Sequence, residues 1–139
     1  MRNAPREIAP SIALVVDYDP DMRNLLRDVL ERQGHRVLEE ADGEKVLPLL
    51  ESGRVGVVVL DKEMPGVNGM DLLRSIRRRW PTIPVILITA FGGPRVKEEA
   101  LRLGAARYLE KPFRVTELLE AVGVLAKSAA YPFFSAESR

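Results

Sequence analysis

Residues 57–66 read Val57-Val58-Val59-Leu60-Asp61-Lys62-Glu63-Met64-Pro65-Gly66, an apolar run that ends on an acid and then on a turn. A run this short and this rich in Val is typical of a strand buried on both faces of a sheet. Asp61 would then lie at the carboxyl end of a central strand, the edge where open α/β sheets bind ligands. An acid at a strand end is also a common turn or cap residue, so this stretch alone leaves a functional and a purely structural role open.

The composition is that of one globular domain. The chain has 139 residues, of which 46% are hydrophobic and 29% charged, and its formal net charge of +1 gives no general attraction to nucleic acid or acidic lipid. The absence of Cys excludes disulfides, thiolate metal sites and Cys nucleophiles. We find no signal peptide and no apolar run of membrane-spanning length, and therefore expect a cytoplasmic protein without a membrane partner.

Strand and helix signals alternate along the chain. The predicted strands cover residues 12–16, 36–39, 57–60, 85–89 and 107–110. The first helix opens at Asp19-Pro20, the second at Asp42-Gly43 and the third at Asn68-Gly69, while the fourth covers about 94–104 and the fifth about 116–127. Pro48 lies inside the second helix and should kink or shorten it, because proline has no N–H to donate.

This alternation predicts a doubly wound α/β sandwich, a (βα)5 unit with helices on both faces of a parallel sheet. Residues 12–127 would form the domain, residues 1–11 a flexible leader, and residues 128–139 a C-terminal tail or linker stub with three aromatic side chains.

Four polar residues lie at the points where the predicted strands end: Asp17, Asp61, Thr89 and Lys111. Strand ends of a parallel sheet share one edge, so these residues should be neighbours. Two carboxylates suit Mg²⁺, and one carboxylate can attack phosphorus to give an aspartyl phosphate. A hydroxyl and an ammonium could then hold the phosphoryl oxygens. Each residue alone is as readily a cap, a strand residue or a solvated charge, and it is their coincidence that favours a site.

Taken in order, the motifs that carry these residues resemble the receiver domain of bacterial two-component response regulators. They are Val-Val-Asp17, Leu-Asp61-Lys-Glu-Met-Pro65-Gly66-Val-Asn-Gly69, Ile-Leu-Ile-Thr89-Ala90 and Tyr108-Leu-Glu-Lys111-Pro112-Phe113, within residues 12–127. The resemblance implies the flavodoxin-like, CheY-like fold with strand order 2-1-3-4-5 and a cis peptide before Pro112.

The resemblance also implies residue roles. Asp61 would be the phosphoacceptor, with Mg²⁺ bound beside it by Asp17, Asp61 and Glu63, the last through its backbone carbonyl in the family's usual arrangement. Thr89 would be the switch hydroxyl, Lys111 the lysine that pairs with the phosphate, and Tyr108 the aromatic that rotates inward. The implied phosphoryl donor is a histidine kinase or a phosphotransfer protein.

The chain departs from this family at Tyr18. The family normally has two adjacent acids at the end of the first strand, and here the pair reads Asp17-Tyr18. A neutral phenol is a poor Mg²⁺ ligand, so Mg²⁺ binding should be weakened unless Asp17 coordinates directly or the Glu63 carboxylate swings in. Asp19 is expected to be occupied as a helix cap.

The leading hypothesis is a phosphorylation-driven signalling switch, not an enzyme beyond its own phosphoryl transfer and dephosphorylation. Its target would be a downstream protein or an output domain outside this chain, with a homodimer left open. The alternative is a phosphorylation-independent pseudo-receiver, a protein-interaction module that Tyr18 favours. A third hypothesis is an unrelated flavodoxin-like protein that binds a ligand. The sequence does not favour it, because it contains no glycine-rich phosphate-binding loop. We expect no direct contact with nucleic acid, because the arginines at 74 and 77–79 are most simply a solvated face.

Overall fold

The structure is a computed structural model that describes residues 12–130, with side chains described through residue 126. The predicted leader, residues 1–11, and the aromatic part of the predicted tail, residues 131–139, lie outside the described residues.

Five parallel strands form the central sheet. They are β1 (Ile12–Val16), β2 (Arg36–Glu40), β3 (Val55–Asp61), β4 (Val85–Thr89) and β5 (Arg107–Glu110). Their order is β2-β1-β3-β4-β5, which confirms the predicted topology. Because Val16 pairs with Leu60, the next residues, Asp17 and Asp61, leave the two central strands side by side.

The helices lie where the capping signals predict them. They are α1 (Pro20–Arg32), α2 (Val46–Leu50), α3 (Gly69–Arg79), α4 (Pro94–Arg102) and α5 (Val115–Ala130). The Asp19 side chain caps α1 by accepting from the Asp21 N–H at 3.0 Å. Asn68 caps α3 by accepting from the N–H groups of Met70 and Asp71 at 2.9 and 3.1 Å. The α5 helix continues to Ala130, three residues beyond the predicted end at Lys127.

Pro48 shortens the second helix, as predicted. A 3-10 turn at Gly43–Lys45 precedes α2, which is only five residues long. Pro48 falls in the first turn of α2, where backbone N–H groups have no partner within the helix, so its missing N–H costs nothing there. A helix that began a turn earlier would lack one hydrogen bond at Pro48, and this keeps α2 short.

A short antiparallel ribbon, Glu63–Met64 paired with Val67–Asn68, connects β3 to α3. From the sequence this segment is predicted only as a turn, because strands of two residues are too short to show the alternation that reveals a strand. The ribbon fixes the backbone immediately after Asp61.

The sheet is buried on both faces. Leu14, Val58 and Leu87 pack on one face with residues of α2, α3 and α4. Their sequence neighbours Val15, Val59 and Ile88 pack on the other face with residues of α1 and α5. This arrangement explains why β1, β3 and β4 are apolar up to their carboxyl ends.

The arginines near the end of α3 do not form one continuous basic face. Arg74 pairs with Asp71, Arg79 with Glu51, and the Arg77 guanidinium donates to the carbonyls of Pro81 and Ile83. Among the helices of residues 12–130, none is long and apolar enough to cross a membrane.

Candidate functional site

Three buried polar side chains lie at the carboxyl edge of the sheet. Asp17, Asp61 and Thr89 are 0%, 4% and 0% exposed, and within the described part of the chain they are the buried polar or charged residues. Asp17 follows β1, while Asp61 and Thr89 end β3 and β4. Burying charge is costly without partners, so their partners determine what the site can do.

Lys111, directly after β5, joins the two acids. Its Nζ lies 3.3 Å from Asp61 Oδ2 and 3.5 Å from Asp17 Oδ2. The other carboxylate oxygens accept backbone N–H groups, Asp17 Oδ1 from Asp19 at 2.9 Å and Asp61 Oδ1 from Glu63 at 3.0 Å. The peptide bond from Lys111 to Pro112 is cis, as the resemblance implies.

The electrostatic balance at Asp61 is unusual for an aspartate. Burial raises the pKa of Asp61 to about 6, and the neighbouring charge of Asp17 adds to the rise, against the opposing effects of the Glu63 N–H and of Lys111. Burial alone would lower the pKa of Lys111, but the charges of Asp61 and Asp17 outweigh it and raise that pKa. Two buried carboxylates face a single ammonium here, so an added cation would stabilise the site.

The Thr89 hydroxyl is engaged by Glu63. Thr89 Oγ1 donates to Glu63 Oε2 at 2.5 Å and accepts from the Phe91 N–H at 3.0 Å. Glu63 Oε1 accepts from the Ala90 N–H at 2.9 Å, and Lys62 Nζ donates to Oε2 at 3.1 Å. Burial would raise the pKa of Glu63, but these hydrogen bonds lower it below its ordinary value, so Glu63 is a carboxylate here.

Tyr108 points to the outer side of the site. Its hydroxyl donates to Glu110 Oε2 at 2.8 Å, and the same oxygen accepts from the Gly93 N–H at 2.8 Å. Burial, followed by the carboxylate of Glu110, raises the pKa of Tyr108 to about 12. A Cβ on Gly92 would lie 2.2 Å from the Tyr108 hydroxyl oxygen, so a larger residue there would have to displace the ends of the Tyr108 and Glu110 side chains.

Arg23 of α1 holds the loop that carries Asp17. Its Nη1 donates to the carbonyls of Asp17 and Tyr18 at 2.7 and 3.1 Å, and its Nε contacts Glu39 Oε1 at 3.2 Å. Arg23, Glu39 and Glu110 are not among the site residues predicted from the sequence. Periodicity places all three on a helix or strand surface, and no sequence signal indicates which loop they reach.

The donor set fits Mg²⁺ through two carboxylates. Asp17 and Asp61 share one ammonium, and Mg²⁺ commonly takes one or two carboxylates and keeps several waters. Across residues 12–130, no group of three or more acidic, His or Cys side chains is arranged to hold a metal ion. The structure thus brings Asp17, Asp61 and Lys111 together, turns the Glu63 carboxylate towards Thr89, and leaves Tyr18 60% exposed.

Comparison with known proteins gives consistent matches. The family model of the response regulator receiver domain matches residues 13–123. The chain is 41% identical over 109 residues to the response regulator protein FleR of Pseudomonas aeruginosa, covering 78% of this chain and 23% of FleR. It is 38% identical over 114 residues to the transcriptional regulatory protein CpxR of Escherichia coli, covering 82% of this chain and 48% of CpxR.

Solved structures agree. The receiver domain of the Francisella response regulator 1452 matches with a TM-score of 0.79 at 32% identity, covering 84% of this chain and 97% of that one. The BeF3-activated DrrB receiver domain matches with a TM-score of 0.76 at 29% identity, covering 84% and 97%.

The chain spans about a quarter of FleR and about half of CpxR, so these matches concern one domain of each relative. Receiver domains are signalling modules that act with histidine kinases and output domains. The family match runs through every strand-end motif from Asp17 to Lys111, and the chain belongs to the receiver domain family of two-component response regulators.

Proposed function

We propose that Asp61 accepts a phosphoryl group from a histidine kinase or a phosphotransfer protein, and that the domain then changes a protein-interaction surface through Thr89 and Tyr108. The observation that carries this proposal is the contact of one ammonium, Lys111, with both buried carboxylates at the sheet edge. A buried acid with raised pKa beside a specific charge partner is typical of a reactive site.

In the proposed transfer a carboxylate oxygen of Asp61 attacks the phosphorus of a phosphohistidine. A P–O bond forms, the P–N bond breaks, and the imidazole nitrogen that leaves takes up a proton. Lys111, now 3.3 Å from Asp61 Oδ2, would move to a phosphoryl oxygen and offset its charge. The domain contributes to this transfer without acting on any other substrate.

Mg²⁺ would be held by the carboxylates of Asp17 and Asp61 and, as in the family, by the backbone carbonyl of Glu63. When bound, the ion supplies positive charge that stabilises the transferring phosphoryl group. Asp17 supports this assignment because its Oδ2 is shared only with Lys111 among the described contacts. Tyr18 supplies no carboxylate, so we expect a higher Mg²⁺ requirement than two adjacent acids would give.

Phosphorylation adds negative charge and acceptor oxygens beside Thr89. The Thr89 hydroxyl would leave Glu63 for a phosphoryl oxygen, and Tyr108 would leave Glu110 and turn inward. These movements would alter the surface formed by α4, β5 and α5, which a downstream protein, an output domain or a second copy of this chain would meet. We propose that the domain acts in the cytoplasm and makes no direct contact with nucleic acid.

Intact mass after incubation with acetyl phosphate tests the proposal. The wild type should gain the mass of one phosphoryl group in the presence of Mg²⁺ and none after chelation. Asp61→Asn should gain none, while the matched control Asp28→Asn, an exposed acid on α1, should behave as the wild type. A wild type that gains no mass at any Mg²⁺ concentration would exclude the proposal and favour the phosphorylation-independent pseudo-receiver.

A further inference from the structure

The Glu63 side chain occupies an anion position built by its neighbours. Its two carboxylate oxygens take the Thr89 hydroxyl at 2.5 Å, the Ala90 N–H at 2.9 Å and the Lys62 ammonium at 3.1 Å. Donors from two separate segments, one after β3 and one at the end of β4, converge on this single group. Such convergence on a carboxylate is the arrangement by which proteins bind an oxyanion.

This anion position is next to Asp61. The Glu63 N–H donates to Asp61 Oδ1 at 3.0 Å, and the Lys62 N–H donates to the carbonyl of Ile88, the residue before Thr89, at 2.8 Å. The backbone of Glu63 is therefore fixed beside the acceptor acid, while its side chain reaches the end of the neighbouring strand.

We propose that Glu63 is a positioning residue of the switch: its carboxylate holds the Thr89 hydroxyl and the Ala90 N–H in the resting domain, and a phosphoryl group on Asp61 must displace it. The inference rests on the proposed phosphorylation of Asp61. It adds that the Glu63 carboxylate maintains the resting state, because it competes with the phosphoryl group for the Thr89 hydroxyl and the Ala90 N–H.

The competition follows from the number of donors. A hydroxyl has one proton and a backbone N–H has one, so neither can serve Glu63 and a phosphoryl oxygen with a full hydrogen bond at the same time. The displaced carboxylate would also carry its negative charge beside that of the phosphoryl group. Both effects raise the free energy of the phosphorylated state relative to the resting state, and a domain without the Glu63 carboxylate would not have this penalty.

Beryllofluoride, a phosphoryl analogue, allows the competition to be measured as an affinity. The affinity of each variant for beryllofluoride would be read from the amide resonances of residues 89 and 90, with Mg²⁺ saturating for every variant so that metal affinity does not enter. We expect Glu63→Ala to lower the dissociation constant roughly tenfold, the size of one charge-assisted hydrogen bond. Glu63→Gln keeps one acceptor oxygen and should give a smaller gain, roughly threefold.

Two controls separate this role from a general structural one. Glu98→Ala removes an exposed carboxylate from α4 and should leave the dissociation constant unchanged. In a Thr89→Ala background the hydroxyl that both groups compete for is absent. The change that Glu63→Ala makes in the logarithm of the beryllofluoride dissociation constant should then fall to about half or less. Thermal unfolding of each variant verifies that it is folded.

Equal or weaker beryllofluoride binding by both Glu63 variants, with the wild type binding, would overturn the inference and leave the proposed function standing. The same holds if the gain is undiminished in the Thr89→Ala background. If the wild type and all variants fail to bind beryllofluoride, the proposed function fails and the inference fails with it.

Discussion

Arg23 shows how a single surface-helix residue can shape the site. Its guanidinium joins the carbonyls of Asp17 and Tyr18 to Glu39 on β2, and its side chain is only 18% exposed. The loop after β1 therefore has a fixed path even though the Tyr18 side chain is largely exposed. Fixing this loop fixes the direction of the Asp17 carboxylate.

Replacing Arg23 with Ala should affect both stability and reactivity. Losing hydrogen bonds from a charged donor to two carbonyls should lower the free energy of unfolding by about 1–3 kcal/mol. Because the Asp17 loop is released, phosphorylation by acetyl phosphate should also require more Mg²⁺. Urea unfolding and the Mg²⁺ dependence of the intact-mass assay measure the two effects.

Arg32→Ala is the matched control, since Arg32 forms only an exposed pair with Asp28 and should cost less than about 0.5 kcal/mol. If Arg23→Ala loses stability but keeps the wild-type Mg²⁺ dependence, Arg23 supports the fold and does not position Asp17.

At the residue level, the sequence predicts the members of the site better than their contacts. Asp17, Asp61, Thr89 and Lys111 could be found because each lies at the end of a predicted strand, and parallel strands bring such ends together. The contact between Glu63 and Thr89 could not be found, because it depends on the ribbon that directs the backbone after Asp61. The orientation of Tyr108 towards Glu110 likewise depends on the shape of the loop at Gly92.

At the scale of elements, the start of α3 packs directly on the segment that follows Asp61. A Cβ on Gly69 would lie 2.4 Å from the Lys62 carbonyl oxygen and 2.6 Å from the Lys62 Cα. Both atoms belong to the backbone, so neither a rotamer change nor a small shift relieves the contact. Gly69 thus allows the helix to approach the site closely.

Gly69→Ala should therefore destabilise the domain by roughly 1–3 kcal/mol, as an overpacking substitution does. Gly123→Ala provides a control with the opposite sign. A Cβ there meets nothing within 4 Å in the middle of α5, so this change should stabilise the domain by about 0.5–1 kcal/mol. Urea unfolding of both variants tests the pair, and a neutral Gly69→Ala would mean that α3 can shift without cost.

The bounds of the elements follow from local signals where a cap or a proline is present. Asp19 and Asn68 each start a helix as predicted, because their side chains satisfy N–H groups that have no partner within the helix. The end of α5 has no such signal: the sequence after Lys127 continues with Ser and Ala, which helices accept, so the helix extends to Ala130.

At the scale of the whole molecule, two cores share one sheet, and the site lies at the edge where both end. The core under α2, α3 and α4 includes contacts of Tyr108, and the core under α1 and α5 includes contacts of Leu109 and Phe113. A movement of Tyr108 therefore concerns one face of the sheet more than the other. Within the proposed change, Tyr108 would therefore act directly on α4 and β5, whereas α5 packs on the opposite face and would be reached only through β5.

The stability of the whole domain should depend on pH through His35, the only histidine in the sequence. His35 is half-buried between α1 and β2, and burial lowers its pKa below the ordinary value of 6.5. Between that ordinary value and the lower folded value, the unfolded chain binds more protons than the folded one. The contribution of His35 to stability is therefore present above pH 6.5 and is lost as the pH falls through that window.

Urea unfolding of the wild type and of His35→Gln, from about pH 7.5 to about pH 5, measures this contribution as a difference. The difference is needed because Asp61, with its pKa raised to about 6, acts in the opposite direction: its folded form takes up a proton more readily, so its effect on stability rises as the pH falls. Asp61 is present in both proteins and cancels. We expect the wild type to lose stability relative to His35→Gln as the pH falls. A difference in stability that stays constant with pH would show that the pKa of His35 is the same in the folded domain and in the unfolded chain.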